Sequence, residues 1–135
     1  MLRELEGKLD LSRLHFTGRI PYPDLVALLR VGRVHAYLSY PFVLSWSMLE
    51  AMSLGACVVG SATPPVQEVI EDGVNGRLVD FFDVDGWSEA LIEALADPEG
   101  HAPLRAAARA HVVENYDLET VCLPRLIRFV ETAGA

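Results

Sequence analysis

Lysine is almost missing from this chain: Lys8 is the only one in 135 residues. A G-x-x-x-x-G-K-[ST] loop therefore has no lysine to reach a phosphate, and a P-loop phosphotransferase is excluded. None of the ten glycines falls into G-x-G-x-x-G, the usual dinucleotide fingerprint, and no G-x-S-x-G marks a nucleophile elbow. Cysteine is scarce too. Cys57 and Cys122 stand 65 positions apart with no CxxC and no histidine at ligand spacing, which rules out thiol-ligated zinc and argues against a disulfide scaffold. No metal site is expected. The histidines, His15, His35, His101 and His111, fall one per element and read as half-buried strand or surface helix residues. Basic charge is short as well: 11 Lys plus Arg against 19 Asp plus Glu give a net charge of −8. Duplex binding needs Lys and Arg to neutralise phosphates, so nucleic acid is an unsuitable partner. Residues 1–67 carry +1 and residues 68–135 carry −9, and a small anion sits more easily against the first half. No run of 18 apolar residues occurs, and the opening MLRELEGKLD has no apolar h-region. These absences predict a soluble, cytoplasmic protein without a membrane span.

What is present suits a packed core, since 51% of the residues are hydrophobic and the length fits a single domain over residues 1–135. Strand and helix patterns alternate. Strands are expected at 14–17, 34–40, 56–60 and 77–79, and helices at 23–30, 46–54, 65–70, 84–96, 104–115 and 118–130, the last around Pro124. Gly55 stands where a C-terminal cap belongs, and Asp72-Gly73-Val74-Asn75-Gly76 reads as a turn. This alternation predicts an α/β domain, with βαβ units building a parallel sheet covered by helices on both faces. The first eleven residues read as the tail of a helix entering a strand, an opening that suits the later part of a larger doubly wound protein.

The most informative segment is SYPFVLSWSMLEAMSLG, residues 39–55. A strand end is followed by a Pro-containing turn and then by a helix opening with two serines. In a parallel sheet this is the carboxyl edge, where ligands bind, and a helix N-terminus there offers free N–H groups and the positive end of its dipole to a phosphate. Glu50, a turn or so further on, suits hydroxyl groups such as the vicinal pair of a ribose. The same residues have a second reading. Ser47-x-x-Glu50 has the spacing of a capping box, in which Glu50 only satisfies a backbone N–H of its own helix.

Four stretches, LHFTGRIPYPDLVALLR, LSYPFVLSWSMLEAMSLGACVVGS, VQEVIEDGVNGRLVD and the acidic helical tail, resemble the donor-binding C-terminal domain of the retaining glycosyltransferases of family 4, which have the GT-B fold. The resemblance runs from about Leu14 to Val130. It implies a Rossmann-like sheet that is the C-terminal half of a GT-B fold, truncated at its N-terminus. By that resemblance Glu50 matches the second glutamate of an E-x7-E motif and holds the donor ribose. Val43, Leu44 and Ser45 match the glycine-rich loop whose backbone faces the diphosphate and sugar. Gly18 and Arg19 match the turn on the nucleobase side, Ser39 matches the strand-end serine, and Glu68 matches a structural glutamate. Phe42 falls where the family has its first glutamate, which contacts the donor sugar. Phenylalanine offers neither charge nor hydrogen bond there: either activity is lost or, the consequence favoured, the donor is altered, as to a deoxy sugar, while a third reading makes Phe42 a core residue anchoring the loop.

The resemblance further implies a nucleoside diphosphate sugar as substrate with no cofactor, and a glycan or lipid acceptor held by an N-terminal domain that this sequence lacks. The basic pair that neutralises the diphosphate is also unmatched, since Arg3 and Lys8 lie in a different context. The expected role is the donor lobe of a hexosyltransferase in bacterial polysaccharide or glycolipid synthesis, inactive by itself, without a catalytic residue of its own, and associating as a homodimer. Other readings are a sugar-nucleotide epimerase of the same fold and a non-catalytic flavodoxin-like module such as a receiver domain.

Overall fold

The computed structural model describes residues 7–40 and 43–133. Its sheet has three parallel strands in the order β1 (Val34–Tyr37), β2 (Cys57–Ser61) and β3 (Arg77–Val79). Val34 pairs with Cys57 and Tyr37 with Gly60, while Val59 pairs with Arg77 and Ser61 with Val79. The helices are α1 (Tyr22–Val31), α2 (Trp46–Ser53), α3 (Pro64–Gln67), α4 (Val84–Ala96), α5 (Ala102–Tyr116) and α6 (Leu123–Ala133).

All residues of β2 are buried, and their alternation divides them between two cores. Val58 packs with Met48, Ala51 and Met52 of α2 and with Ala108 and Val112 of α5. Cys57 and Val59 point the other way, onto Trp87, Ala90 and Ala94 of α4. A strand with helices over both faces reads as an unbroken apolar run, and the expected two-sided parallel sheet is what forms. Small residues let α2 and α5 approach closely, and Arg109 of α5 ties them further by donating from Nη1 to the Ser53 carbonyl at the end of α2.

α2 ends as expected at Gly55, whose φ of 78° is easy only for glycine. The Ala56 N–H reaches back to the Ala51 carbonyl and the Gly55 N–H to the Met52 carbonyl, both at 3.0 Å, the two bonds of a Schellman cap. Gly76 answers a different need. A Cβ there would lie 2.8 Å from Cγ2 of Ile70, so any side chain would push into the core under β3.

Two expected elements differ. Residues 14–17 form no strand: no neighbouring strand among the described residues offers them a ladder, and Phe16 is 69% exposed. Ahead of them stands a single 3-10 turn, Leu11–Arg13, capped by the Asp10 carboxylate. The final helix is also not continuous. It opens with a π-helical turn, Leu118–Cys122, before α6. Pro124 has no N–H to give to a preceding carbonyl, and the chain widens there so that the Cys122 N–H bonds to the Asp117 carbonyl at 2.8 Å.

Candidate functional site

The carboxyl edge of the sheet is held together by hydroxyl groups. Tyr37, the last residue of β1, is buried, and its phenol oxygen accepts the backbone N–H of Ser45 at 2.8 Å. Ser45 is the residue that caps α2, its Oγ accepting the Ser47 N–H at 3.3 Å. The end of the strand and the start of the helix are thereby clamped to one another. Ser61, at the end of β2 and fully buried, does the same for the next loop. Its Oγ accepts the Ser39 N–H at 2.9 Å and lies 2.6 Å from the Ser39 carbonyl, to which it donates. Nothing in the sequence marks Ser61, whose role depends on a partner 22 residues away. The Ser39 hydroxyl turns to the Tyr40 carbonyl at 3.2 Å.

The cap settles how Glu50 is used within its own helix. Because Ser45 rather than Ser47 is the N-cap, the Ser47-x-x-Glu50 spacing does not form a capping box, and the position facing back to the cap belongs to Met48. Met48 is fully buried instead. Glu50 sits in the middle of α2, half-buried, and its carboxylate lies beside Tyr22 at the start of α1. A hydrogen bond to Glu50, and then its negative charge, hold the Tyr22 phenol above its ordinary pKa. Tyr22 follows the loop carrying Gly18 and Arg19, so that loop comes close to Glu50. Gly18 takes φ of 59°, which turns the chain sharply before α1. Tyr22 is a neighbour of Glu50 that the sequence pattern does not single out, and its place four residues beyond Gly18 is the local signal.

Trp46 and Glu50 stand four residues apart on one face of α2. With Tyr116, Leu118 and Cys122 they line an open hollow of about 420 Å³. Trp46 is 81% exposed. Val43 is exposed and Leu44 packs against the core, so within the 43–45 stretch one side chain anchors the loop and the other faces out. Phe42 and Pro41 lie outside the described residues, as does Arg3. Glu68 is exposed and closes α3, its N–H bonding the Pro64 carbonyl at 3.1 Å. No group of three or more His, Cys, Asp or Glu among the described residues is arranged to hold a metal ion. No helix among them is long and apolar enough to cross a membrane.

Comparison with known proteins adds the family. The chain is 32% identical over 112 residues to D-inositol 3-phosphate glycosyltransferase of Mycobacterium tuberculosis, covering 80% of this chain and 23% of that protein. It therefore spans about a quarter of the length of the curated relatives it matches. Among solved structures, sucrose-phosphate synthase from Thermosynechococcus elongatus superimposes with a TM-score of 0.82 at 26% identity, over 97% of this chain and 34% of that one. Anabaena HepE, solved with UDP and glucose, shares the fold with a TM-score of 0.81 at 21% identity, over 96% of this chain and 36% of its own. The family model described as Glycosyl transferases group 1 matches residues 1–111, and the chain belongs to that family.

Proposed function

We propose that this chain is the donor-binding part of a glycosyltransferase and takes a nucleoside diphosphate sugar, with the ribose hydroxyls on Glu50, the diphosphate at the N-terminus of α2, and the base toward Gly18 and Arg19. The observation that carries the reading is the Ser45 cap. It leaves Glu50 out of the helix start, half-buried beside Tyr22 with acceptor capacity to spare. A carboxylate accepts hydrogen bonds only, which suits a vicinal diol and repels phosphate, so the two ends of the donor separate along α2. In this arrangement no metal and no cofactor takes part. The Ser45 N–H is engaged by Tyr37, which leaves the diphosphate to the neighbouring backbone of the 43–45 loop and the first turn.

Family membership favours sugar transfer over epimerisation and over a non-catalytic module. The complete enzyme would hold a glycan or lipid acceptor on a second domain, act in the cytoplasm of a bacterium, and build polysaccharide or glycolipid. Residues 1–135 assayed by themselves would be inactive, because a cleft that closes over the reacting groups and excludes water takes two domains. Its exposed apolar side chains, Leu126, Ile127, Phe129 and Val130 of α6 among them, favour homodimerisation. Thermal shift against UDP, GDP and ADP and their sugars tests the reading. One nucleotide series should raise the melting temperature in proportion to the logarithm of its concentration. A flat response to all of them would contradict it.

A further inference from the structure

Three aromatic rings meet at the carboxyl edge of the sheet, outside the contacts assigned above. Tyr40, beyond the end of β1, meets Phe81 edge-to-face with ring centroids 5.4 Å apart. Phe81 meets Phe82 in the same way at 4.9 Å. Tyr40 is 63% and Phe82 76% exposed, so two rings of the cluster stand in solvent although burying them would be favourable. The cluster bridges loops that follow β1 and β3, the two outer strands, across the end of β2.

Both loops are anchored. Ser61 holds the backbone of Ser39 next to Tyr40. On the other side the Trp87 indole N–H donates to the Asp80 carbonyl at 3.0 Å, the Asp80 carboxylate accepts the Phe82 N–H at 2.9 Å, and the Ala62 N–H bonds the Val79 carbonyl at 2.7 Å. The rings are therefore presented on fixed backbone. Asp80 and Asp83 bracket Phe81 and Phe82 in the sequence; the Asp80 carboxylate accepts the Phe82 N–H and the Asp83 carboxylate the Gly86 N–H, both at 2.9 Å, so two negative charges belong to the loop that carries these rings. That pairing discriminates among ligands. Aromatic faces accept the apolar C–H side of a ring, carboxylates accept hydroxyl protons, and two negative charges repel phosphate.

We propose that Tyr40, Phe81 and Phe82 form a platform for a neutral pyranose ring, the sugar being stacked on the aromatics with its hydroxyls toward Asp80 and Asp83. The proposal deepens the donor-lobe reading and rests on it, since that reading brings sugars to this edge of the sheet. The ring belongs either to the donor or to the acceptor, and the chemistry of the platform is the same for both.

Aromatic carbon–proton NMR spectra of the chain, titrated separately with methyl glucopyranoside, UDP-glucose and UDP, test it. The Phe82 and Tyr40 ring signals should move with the glycoside or with UDP-glucose and stay still with UDP. A response to the glycoside assigns the acceptor sugar, and a response to UDP-glucose alone assigns the donor sugar. Phe82→Ala, at an exposed position that folding does not require, should weaken the sugar response roughly three- to tenfold, as expected for loss of one aromatic contact, and leave UDP affinity unchanged. UDP binding with no sugar response at these rings overturns the platform and spares the donor-lobe reading. Absence of any UDP binding overturns that reading, and the platform with it when the sugars also leave the rings still. Ring shifts that follow dilution of the protein alone, or that appear only with phosphatidylglycerol vesicles, assign the patch to a second copy or to lipid and overturn the platform.

Discussion

The phenol of Tyr37 accepts the backbone N–H of Ser45 at 2.8 Å, so the last side chain of β1 sets where α2 begins. This bond fixes the separation of the strand end and the helix start across the loop. Tyr37→Phe keeps the ring and its packing but leaves the Ser45 N–H without its acceptor. The expected cost is about 1–2 kcal/mol of stability, the penalty for orphaning a partly buried donor, read from urea unfolding with an unchanged m-value. Unfolding midpoints that coincide for the two proteins would show that the clamp carries no energy.

Much of the architecture is legible in the chain, and the reasons for the exceptions are physical. β2 and its two-sided burial follow from an unbroken apolar run, and α2 ends where Gly55 must. Residues 14–17 carry a strand-like pattern, but a strand exists only through a neighbour's ladder, and no periodicity reveals whether that neighbour is there. The alternative reading of Ser47-x-x-Glu50 as a capping box fails for a similar reason. Ser45 and Ser47 are equally good cap residues, and the choice between them is made by Tyr37, eight positions back along the chain. Tyr22 and Ser61 join the site through contacts that only folding brings about. Glu50 is legible as a carboxylate near a helix start at the carboxyl edge of a parallel sheet, where ligands bind, and the family resemblance adds the ribose as its expected partner.

The two cysteines should differ sharply in reactivity. Cys57 is 1% exposed in the core under α4, and burial pushes its thiol up, outweighing the opposing charges of Arg105 and Arg77. Cys122 is half-buried and lines the open hollow beside Glu50. A thiol reagent at mildly alkaline pH should modify one cysteine quickly and the second only on unfolding, because the thiolate is the reactive form. Cys122→Ser should abolish the fast phase, and a fast phase that survives it would contradict the account.

His35 should make the fold acid-sensitive. Burial lowers its pKa, and its Nε2 has no hydrogen-bond partner among the described residues. The folded state therefore takes up the proton less readily than the unfolded one. Its stability is full above about pH 6.5, the unfolded value, and declines as the pH falls below that. Replacing the imidazole with an uncharged side chain of similar reach, His35→Gln, should flatten the fall in melting temperature between about pH 7.5 and about pH 5.5. An equally steep fall in the variant would place the acid sensitivity elsewhere.

The central claim is that Glu50 holds the ribose of a nucleoside diphosphate, and an amide NMR titration of this chain with UDP tests it most directly, since it detects weak as well as tight binding. Wild type should show saturable shifts in the first turn of α2 and in the loop around Gly18 and Arg19. Glu50→Ala should weaken that binding by about 1.5–3 kcal/mol, the worth of hydrogen bonds to a charged group, which is roughly tenfold to more than a hundredfold in Kd. Equal affinity in wild type and Glu50→Ala, or saturable shifts confined to a surface away from α2, would contradict the assignment.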